Sequence, residues 1–217
     1  MAQEDGVYQD RDYIPCFEDN ASWEGFRGIL ALCIEEGTPG PFLDIGCGLG
    51  FFVECCREFG VPCTGVEGSS FAVQMAKQRD IELVHHNIET VPLPFDAESF
   101  GTILLSEVIE HLRKPAAEKL LLECRRLLKK GGAIVILSPS KYNWKVNKDP
   151  LHINLYTKES IRTEVEGAGF RFKKYVKDAP RVFLTETRLE YFLMRQVYRF
   201  VKAGYLSQSA CCVAIKP

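Results

Sequence analysis

The sequence predicts an α/β fold, a mostly parallel sheet covered by helices on both faces. Short apolar segments alternate with longer stretches of helical period, and those apolar segments are nearly continuous. A cluster of three glycines, in PFLDIGCGLGFF at 41–52, joins the first such segment to a helix. Alternation of this kind builds parallel sheets layered by helices. Near-continuous apolar strands are those buried on both faces.

Taken in order, residues 22–35 form a helix, since Trp23, Phe26, Ile29, Leu30 and Cys33 fall on one stripe. Strands are expected at 42–46, 63–67, 81–85, 101–106 and 132–138. Helices are expected at 49–60, 70–79 and 115–129, the last with Leu120, Leu121, Cys124, Leu127 and Leu128 at three- and four-residue spacing. KKGG at 129–132 reads as the stop of that helix, with lysines in its last turn and glycine beyond. After Pro150 come a helix at 157–168 ended by Gly169, a strand at 170–177, a long aromatic helix at about 185–202 and a last strand at 209–215.

The 217 residues suit one domain: an arm over 1–40, a core over 41–178, a helical insertion over 179–208 and a last strand within 209–217. With 46% hydrophobic and 26% charged residues and a mean hydropathy of −0.08, the composition excludes a disordered chain. No apolar run reaches membrane-spanning length and none resembles a signal peptide, so a soluble, cytoplasmic protein is expected. Nine cysteines without a C-x-x-C pair read as reduced thiols. The net charge of −2 hides two poles, with −7 over residues 1–40 and +6 over 171–203.

A strand, a glycine-rich turn and a helix N-terminus form a cradle for a nucleotide-like ligand, because bare backbone admits close approach and the first helical N–H groups lack partners. Glu67 ends the second expected strand 21 positions after Gly46, where a carboxylate can accept from both hydroxyls of a ribose. The dinucleotide fingerprint requires a glycine at position 51, which is Phe51. That disfavours NAD and points to a nucleoside without a pyrophosphate, such as S-adenosylmethionine.

At these residues the chain resembles the class I S-adenosylmethionine-dependent methyltransferases, in the subgroup that includes quinone, polyketide and sugar methyltransferases. Five segments stand in the family's order between about residues 40 and 170: LDIGCGLG (43–50), GVEGS (65–69), HNIETVPLPFDAESF (86–100), SEVIEHL (106–112) and LKKGGAIVILSPS (128–140). The resemblance implies a Rossmann-like, mostly parallel seven-stranded sheet whose last strand is antiparallel. It also implies that Gly46, Gly48 and Gly50 pack on the methionine portion of the cofactor, with Asp44 near its amino group. Glu67 then holds the ribose, Asn87 and the backbone of Ile88 meet the adenine edge, and Ser106 lies beside the methionine end. Two positions depart from the family pattern. Asn87 replaces the usual Asp, its oxygen still able to accept from the adenine amino group, and Gly101 replaces an Asp at the start of a strand.

Methyl transfer to oxygen needs an aligned acceptor and a place for its proton. His111, after the strand that borders the cofactor, and His152, in DPLHINLYT, are the candidate catalytic residues; a structural histidine is the alternative for His111. His85 and His86 are expected beside the adenine site. No metal is expected in the leading reading. In a second reading, Glu107, Glu110 and His111 share a helical face by their i, i+3, i+4 spacing and His152 completes a metal set. The small-RNA 3′-terminal 2′-O-methyltransferases carry a similar set, which would make the chain a metal-dependent RNA 2′-O-methyltransferase. An acidic chain of pI about 6.1 is poor footing for nucleic acid.

Acceptor choice is expected from two segments outside the shared core. The arm, with Tyr8, Tyr13, Phe17 and Trp23, reads as a lid over the cofactor. The stripe of Leu189, Phe192, Leu193, Val197, Phe200 and Val201 reads as a helix docked on the core. Its alternatives are a wall for an apolar or lipid-like acceptor, a dimer surface, or a peripheral membrane contact through 185–202. The leading expectation is a methyltransferase acting on a small molecule, at a hydroxyl oxygen before nitrogen or carbon. A non-catalytic module that binds the cofactor and an NAD-dependent oxidoreductase complete the alternatives.

Overall fold

The structure, a computed structural model, describes residues 23–143, 149–176 and 209–217. The arm before Trp23 and the expected helix at 185–202 therefore lie outside the described residues. Helix α1 (Trp23–Glu36) leads to β1 (Phe42–Ile45), α2 (Phe51–Glu58), β2 (Cys63–Glu67), α3 (Ser70–Lys77), β3 (Leu83–His85) and β4 (Phe100–Ser106). A 3-10 turn (Ile109–His111), α4 (Lys114–Leu127), β5 (Leu128–Leu137), α5 (Lys158–Gly167), β6 (Arg171–Tyr175) and β7 (Cys212–Ile215) follow.

The strands form one seven-stranded sheet in the order β3-β2-β1-β4-β5-β7-β6. The first five are parallel, and β7 runs antiparallel to both β5 and β6. This is the Rossmann-like architecture that the resemblance implies. The order reverses between β1 and β4, and ligands of open α/β sheets bind at such a switch, outside the carboxyl ends of the strands.

Alternation along β1 divides the interior. Leu43 and Ile45 join Ile103, Leu105, Ile134 and Ile136 under α4 and α5, where Leu120, Leu121, Leu127, Ile161 and Val165 are fully buried. Phe42 joins Leu104, Val135 and Val213 on the other face, under Leu30 and Cys33 of α1 and Phe52, Cys55 and Cys56 of α2. Each fully buried leucine contributes about 1.5–3 kcal/mol, so two packed faces explain why these strands show no polar alternation. The eight cysteines among the described residues are free thiols.

Local chemistry fixes the ends of the outer helices. Thr157 and Ser160 cap α5 reciprocally: Thr157 Oγ1 accepts from Ser160 N at 3.0 Å, and Ser160 Oγ accepts from Thr157 N at 2.8 Å. Glu36 closes α1, an unfavourable place for an anion. It is buried there against Lys173, 2.8 Å away, and Lys174, which tie α1 to β6.

KKGG does not end a helix. Helix α4 stops at Leu127 with Arg125 and Arg126 in its last turn, and residues 129–132 bulge out of β5 between the pairs Phe100–Leu128 and Thr102–Ala133. The bulge is held from the far end of the sequence. Gly131 N donates to Lys216 O and Lys216 N to Gly132 O, both at 2.9 Å, while Lys216 Nζ donates to Leu128 O at 2.7 Å. Gly101, opposite the bulge, has a steric reason to lack a side chain, since a Cβ there would stand 2.3 Å from Thr38 O.

Candidate functional site

The carboxyl ends of β1, β2 and β4 bring the expected glycines and acids together. Gly46 N and Cys47 N both donate to Val66 O, at 2.8 and 3.1 Å, which bends the chain sharply off β1. Gly46, Gly48 and Gly50 have φ of 71°, 54° and 77°, all in the left-handed region. At Gly46 even a methyl group is excluded, because its Cβ would lie 2.7 Å from Val108 Cγ2. Gly50 is the N-cap of α2 and supplies no side-chain cap, so the first N–H groups of that helix face the loop uncapped.

Glu67, at the end of β2, is 5% exposed and braces this loop. Its Oε2 accepts from Gly48 N and its Oε1 from Ser69 N, each at 2.8 Å. Each carboxylate oxygen keeps a further lone pair, enough to accept from two hydroxyls. Sequence reasoning found the acid by its spacing and missed its second role as the anchor of the turn. It also missed Arg79, whose guanidinium donates to Leu49 O, pairs with Glu54 Oε2 at 3.2 Å and lies 4.4 Å from the Phe51 ring centroid.

Asp44 is 3% exposed within β1. Its pKa is pushed up to about 8, first by burial and then by the Glu67 charge. Nothing among its described neighbours lowers it. A cationic ammonium ligand would supply that missing partner, so Asp44, Glu67 and the bare loop suit a nucleoside carrying an amino acid.

Asn87, Ile88 and Thr90 form a turn beside Gly68, with Thr90 N donating to Asn87 O at 2.9 Å. Asn87 Oδ1 already accepts from Glu89 N at 2.9 Å, so the oxygen expected to meet an adenine amino group has one bond from its own chain. Nε2 of His85 is 3.0 Å from Gly68 O and Nε2 of His86 is 2.8 Å from Thr90 O, placing both rings on this same turn. Ser106 closes β4 one residue beyond Leu105, the partner of Ile45, and is half-buried.

Beyond Ser106 the chain turns abruptly. Glu107 has φ 55° and donates its N–H to Leu137 O at 2.8 Å; Val108 then packs on the glycine loop. The expected helical face does not form, because residues 109–111 make a single 3-10 turn after this left-handed residue. Glu110, His111 and His152 nevertheless converge, each offering a ligand atom within 4.8 Å of the others, and Glu107 lies outside that group. The His111 and His152 ring centroids are 4.6 Å apart. His111 Nδ1 is 3.1 Å from Leu151 O and donates to it in the tautomer that leaves Nε2 as the acceptor. Burial, then the neighbouring His152, pushes the His111 pKa down to about 4.

Glu110 is fully buried, and neither carboxylate oxygen has a hydrogen-bond partner of normal geometry. Burial and then the Glu107 charge push its pKa well above the usual carboxylate range. A surface hollow lined by Pro92, Phe95, Ser99 and Arg126 lies at the other end of β4 and shares no residue with this site.

Residues 43–136 match the family model described as a methyltransferase domain. The chain is 31% identical over 118 residues to the ubiquinone biosynthesis O-methyltransferase of Roseobacter denitrificans, covering 52% of this chain and 42% of that protein. It is also 31% identical over 111 residues to the protein of that name from Alkalilimnicola ehrlichii, covering 49% and 44%. The chain thus spans less than half the length of these curated relatives. In fold it resembles a SAM-dependent methyltransferase from Archaeoglobus fulgidus, with TM-score 0.70, 20% identity, and coverage of 95% of this chain and 100% of that one. A phosphoethanolamine N-methyltransferase of Haemonchus contortus, solved with phosphomonomethylethanolamine and S-adenosylhomocysteine, gives TM-score 0.67 at 20% identity, covering 90% and 53%.

Proposed function

We propose that the chain is a class I S-adenosylmethionine-dependent methyltransferase that moves a methyl group by in-line displacement to a hydroxyl oxygen of a small molecule. The observation that carries this reading is the glycine loop at the switch point, pinned to Glu67 and flanked by the buried Asp44. When bound, the sulfonium of the cofactor supplies an activated methyl group and leaves as a neutral thioether.

The residues of this chain do the rest. Asp44 would hold the ammonium end, Gly46, Gly48 and Gly50 would let the methionine portion lie on bare backbone, and Glu67 would fix the ribose. Asn87 and the Ile88 backbone would edge the adenine, and Ser106 would stand beside the methionine end. His111 and His152 would border the acceptor. An acceptor hydroxyl held there would pass its proton to His111 Nε2 and then to water. The low pKa of His111 keeps that nitrogen unprotonated at neutral pH.

The relatives named for ubiquinone biosynthesis support a small-molecule oxygen acceptor, and the chain's net charge of −2 supports it over nucleic acid. On the same reading, residues 41–178 form the cofactor-binding core, residues 209–217 supply the last strand, and residues 1–40 and 179–208 select the acceptor. No described helix is long and apolar enough to cross a membrane. The test is to incubate the protein with methyl-labelled S-adenosylmethionine and a cell extract, then separate lipid, small-molecule, protein and RNA fractions. Label in the small-molecule or lipid fraction is expected. Label confined to RNA or protein overturns the proposed acceptor, and no label, with S-adenosylhomocysteine still bound, leaves a binding module.

A further inference from the structure

We propose that Arg79 is a positioning residue for the glycine loop, fixing the Leu49 carbonyl so that the cradle is already shaped when its ligand arrives. Glycines at 46, 48 and 50 make this loop easy to bend and correspondingly costly to order. Two adjacent residues of the loop are held by opposite charges that come from different elements. Glu67, at the end of β2, takes the Gly48 N–H at 2.8 Å. Arg79, in the turn after α3, gives a guanidinium N–H to Leu49 O. The loop is thus gripped through a donor and an acceptor on consecutive residues.

The fold delivers Arg79 to this place. Val53 of α2, Ala76 of α3 and Ile81 form a small buried cluster that docks the end of α3 on α2. Arg79 N donates to Ala76 O at 2.9 Å and Asp80 has φ 57°, so the chain wraps back and sets Ile81 Cγ2 only 3.1 Å from where a Gly50 Cβ would stand. The guanidinium then uses its whole fork. Nε pairs with Glu54 Oε2 at 3.2 Å, Nη1 donates to Met75 O at 3.4 Å, and Nη2 holds Leu49 O.

Phe51 seats the guanidinium, whose central carbon lies 4.4 Å from the ring centroid, and Phe26 of α1 backs that ring with centroids 6.1 Å apart. Phe51 stands where the dinucleotide fingerprint has its third glycine, so the side chain that breaks the fingerprint is the perch for Arg79. A lysine offers one compact ammonium in place of three spaced nitrogens and a planar face, and cannot reproduce the set. Holding the loop in one shape removes an ordering cost that a ligand would otherwise bear. The consequence for binding rests on the cofactor reading above, and the tether itself does not.

The test compares Arg79→Ala, Arg79→Lys and Arg57→Ala in the full chain. Arg57 Nη1 donates to Asp80 O at 2.8 Å, so it ties α2 to the same turn through a bond that does not involve the loop. In the ligand-free protein, amide hydrogen exchange over residues 46–52, read by mass spectrometry, should quicken about tenfold in Arg79→Ala and stay near the wild-type rate in Arg57→Ala. Calorimetric affinity for S-adenosylhomocysteine should fall about tenfold in Arg79→Ala, recover in part in Arg79→Lys and stay within about twofold in Arg57→Ala. If the alanine variant does not fold, Arg79→Lys gives the same comparison at smaller amplitude. Unchanged exchange over 46–52 overturns the tether, and equal losses in Arg57→Ala overturn it in favour of general docking between α2 and the turn. Faster exchange with unchanged affinity overturns the positioning role. A wild type that binds no S-adenosylhomocysteine, while its loop exchange still responds to Arg79, overturns the cofactor reading and leaves the tether standing.

Discussion

Replacing Glu67 tests the hinge on which the whole site turns. Glu67→Ala removes one acceptor from Gly48 N and one from Ser69 N, both bonded at 2.8 Å in a buried setting. An unsatisfied buried N–H costs about 1–3 kcal/mol, so the ligand-free protein should lose roughly 2–6 kcal/mol. Glu67→Gln should cost about half as much, since its amide offers one oxygen and turns an N–H toward the other donor. Affinity for S-adenosylhomocysteine should fall by a further 1–3 kcal/mol or so as the ribose loses a charged acceptor. Urea unfolding reads the first effect through the midpoint at constant slope, and calorimetry reads the second at a temperature where each variant stays folded. An unchanged urea midpoint in Glu67→Ala would refute the anchoring argument, and an unchanged affinity would refute the ribose assignment.

Gly46→Ala should destabilise the protein by about 1–3 kcal/mol in urea unfolding, because φ is 71° and the new methyl meets Val108 Cγ2; adding Val108→Ala should recover part of the loss. Asp44 faces Glu67, Cys33 and Cys47, and its acid pKa is raised in the folded state. The folded protein therefore holds that proton more tightly than the unfolded chain, so this group's contribution to stability falls as pH rises from the ordinary aspartate range to about 8. Binding of S-adenosylhomocysteine should tighten over the approach to pH 8 and release a proton, seen as a buffer-dependent heat, and Asp44→Asn should abolish that dependence. For Glu36, burial raises the pKa but hydrogen bonds from Lys173 and Lys174 outweigh it, leaving a net lowering. Its contribution is present above the ordinary glutamate pKa and lost as pH falls through the folded value; Glu36→Gln should cost on the order of 1 kcal/mol by thermal melts at neutral pH, the solvated lysines discounting the pair.

The parallel core was legible because its information is local. Residues 63–67 form a strand with the expected limits, and Glu67 lies where the glycine spacing puts a carboxylate. Legibility failed where a partner is distant in sequence. KKGG carries every signal of a helix stop, yet Lys216 recruits it into a bulge of β5. The Glu107, Glu110, His111 spacing suggested a helix, whereas the left-handed Glu107 breaks that period and closes a shorter turn. His152 joins the group through a loop 41 positions away from His111, a contact that no periodicity encodes. Gly101 looked like a departure from pattern and proves to make room for Thr38.

The place of β7 has a consequence for how the molecule is made. This strand is the last of the seven to leave the ribosome, yet it lies inside the sheet and separates β5 from β6. Until residues 212–215 emerge, β5 presents an unpaired edge and β6 has no neighbour to join, however early its own residues were synthesised. The nascent chain can assemble β3-β2-β1-β4-β5 and must then wait. Its vulnerability to aggregation is set by the interval between completing β5 and delivering β7, an interval filled by the synthesis of the intervening residues.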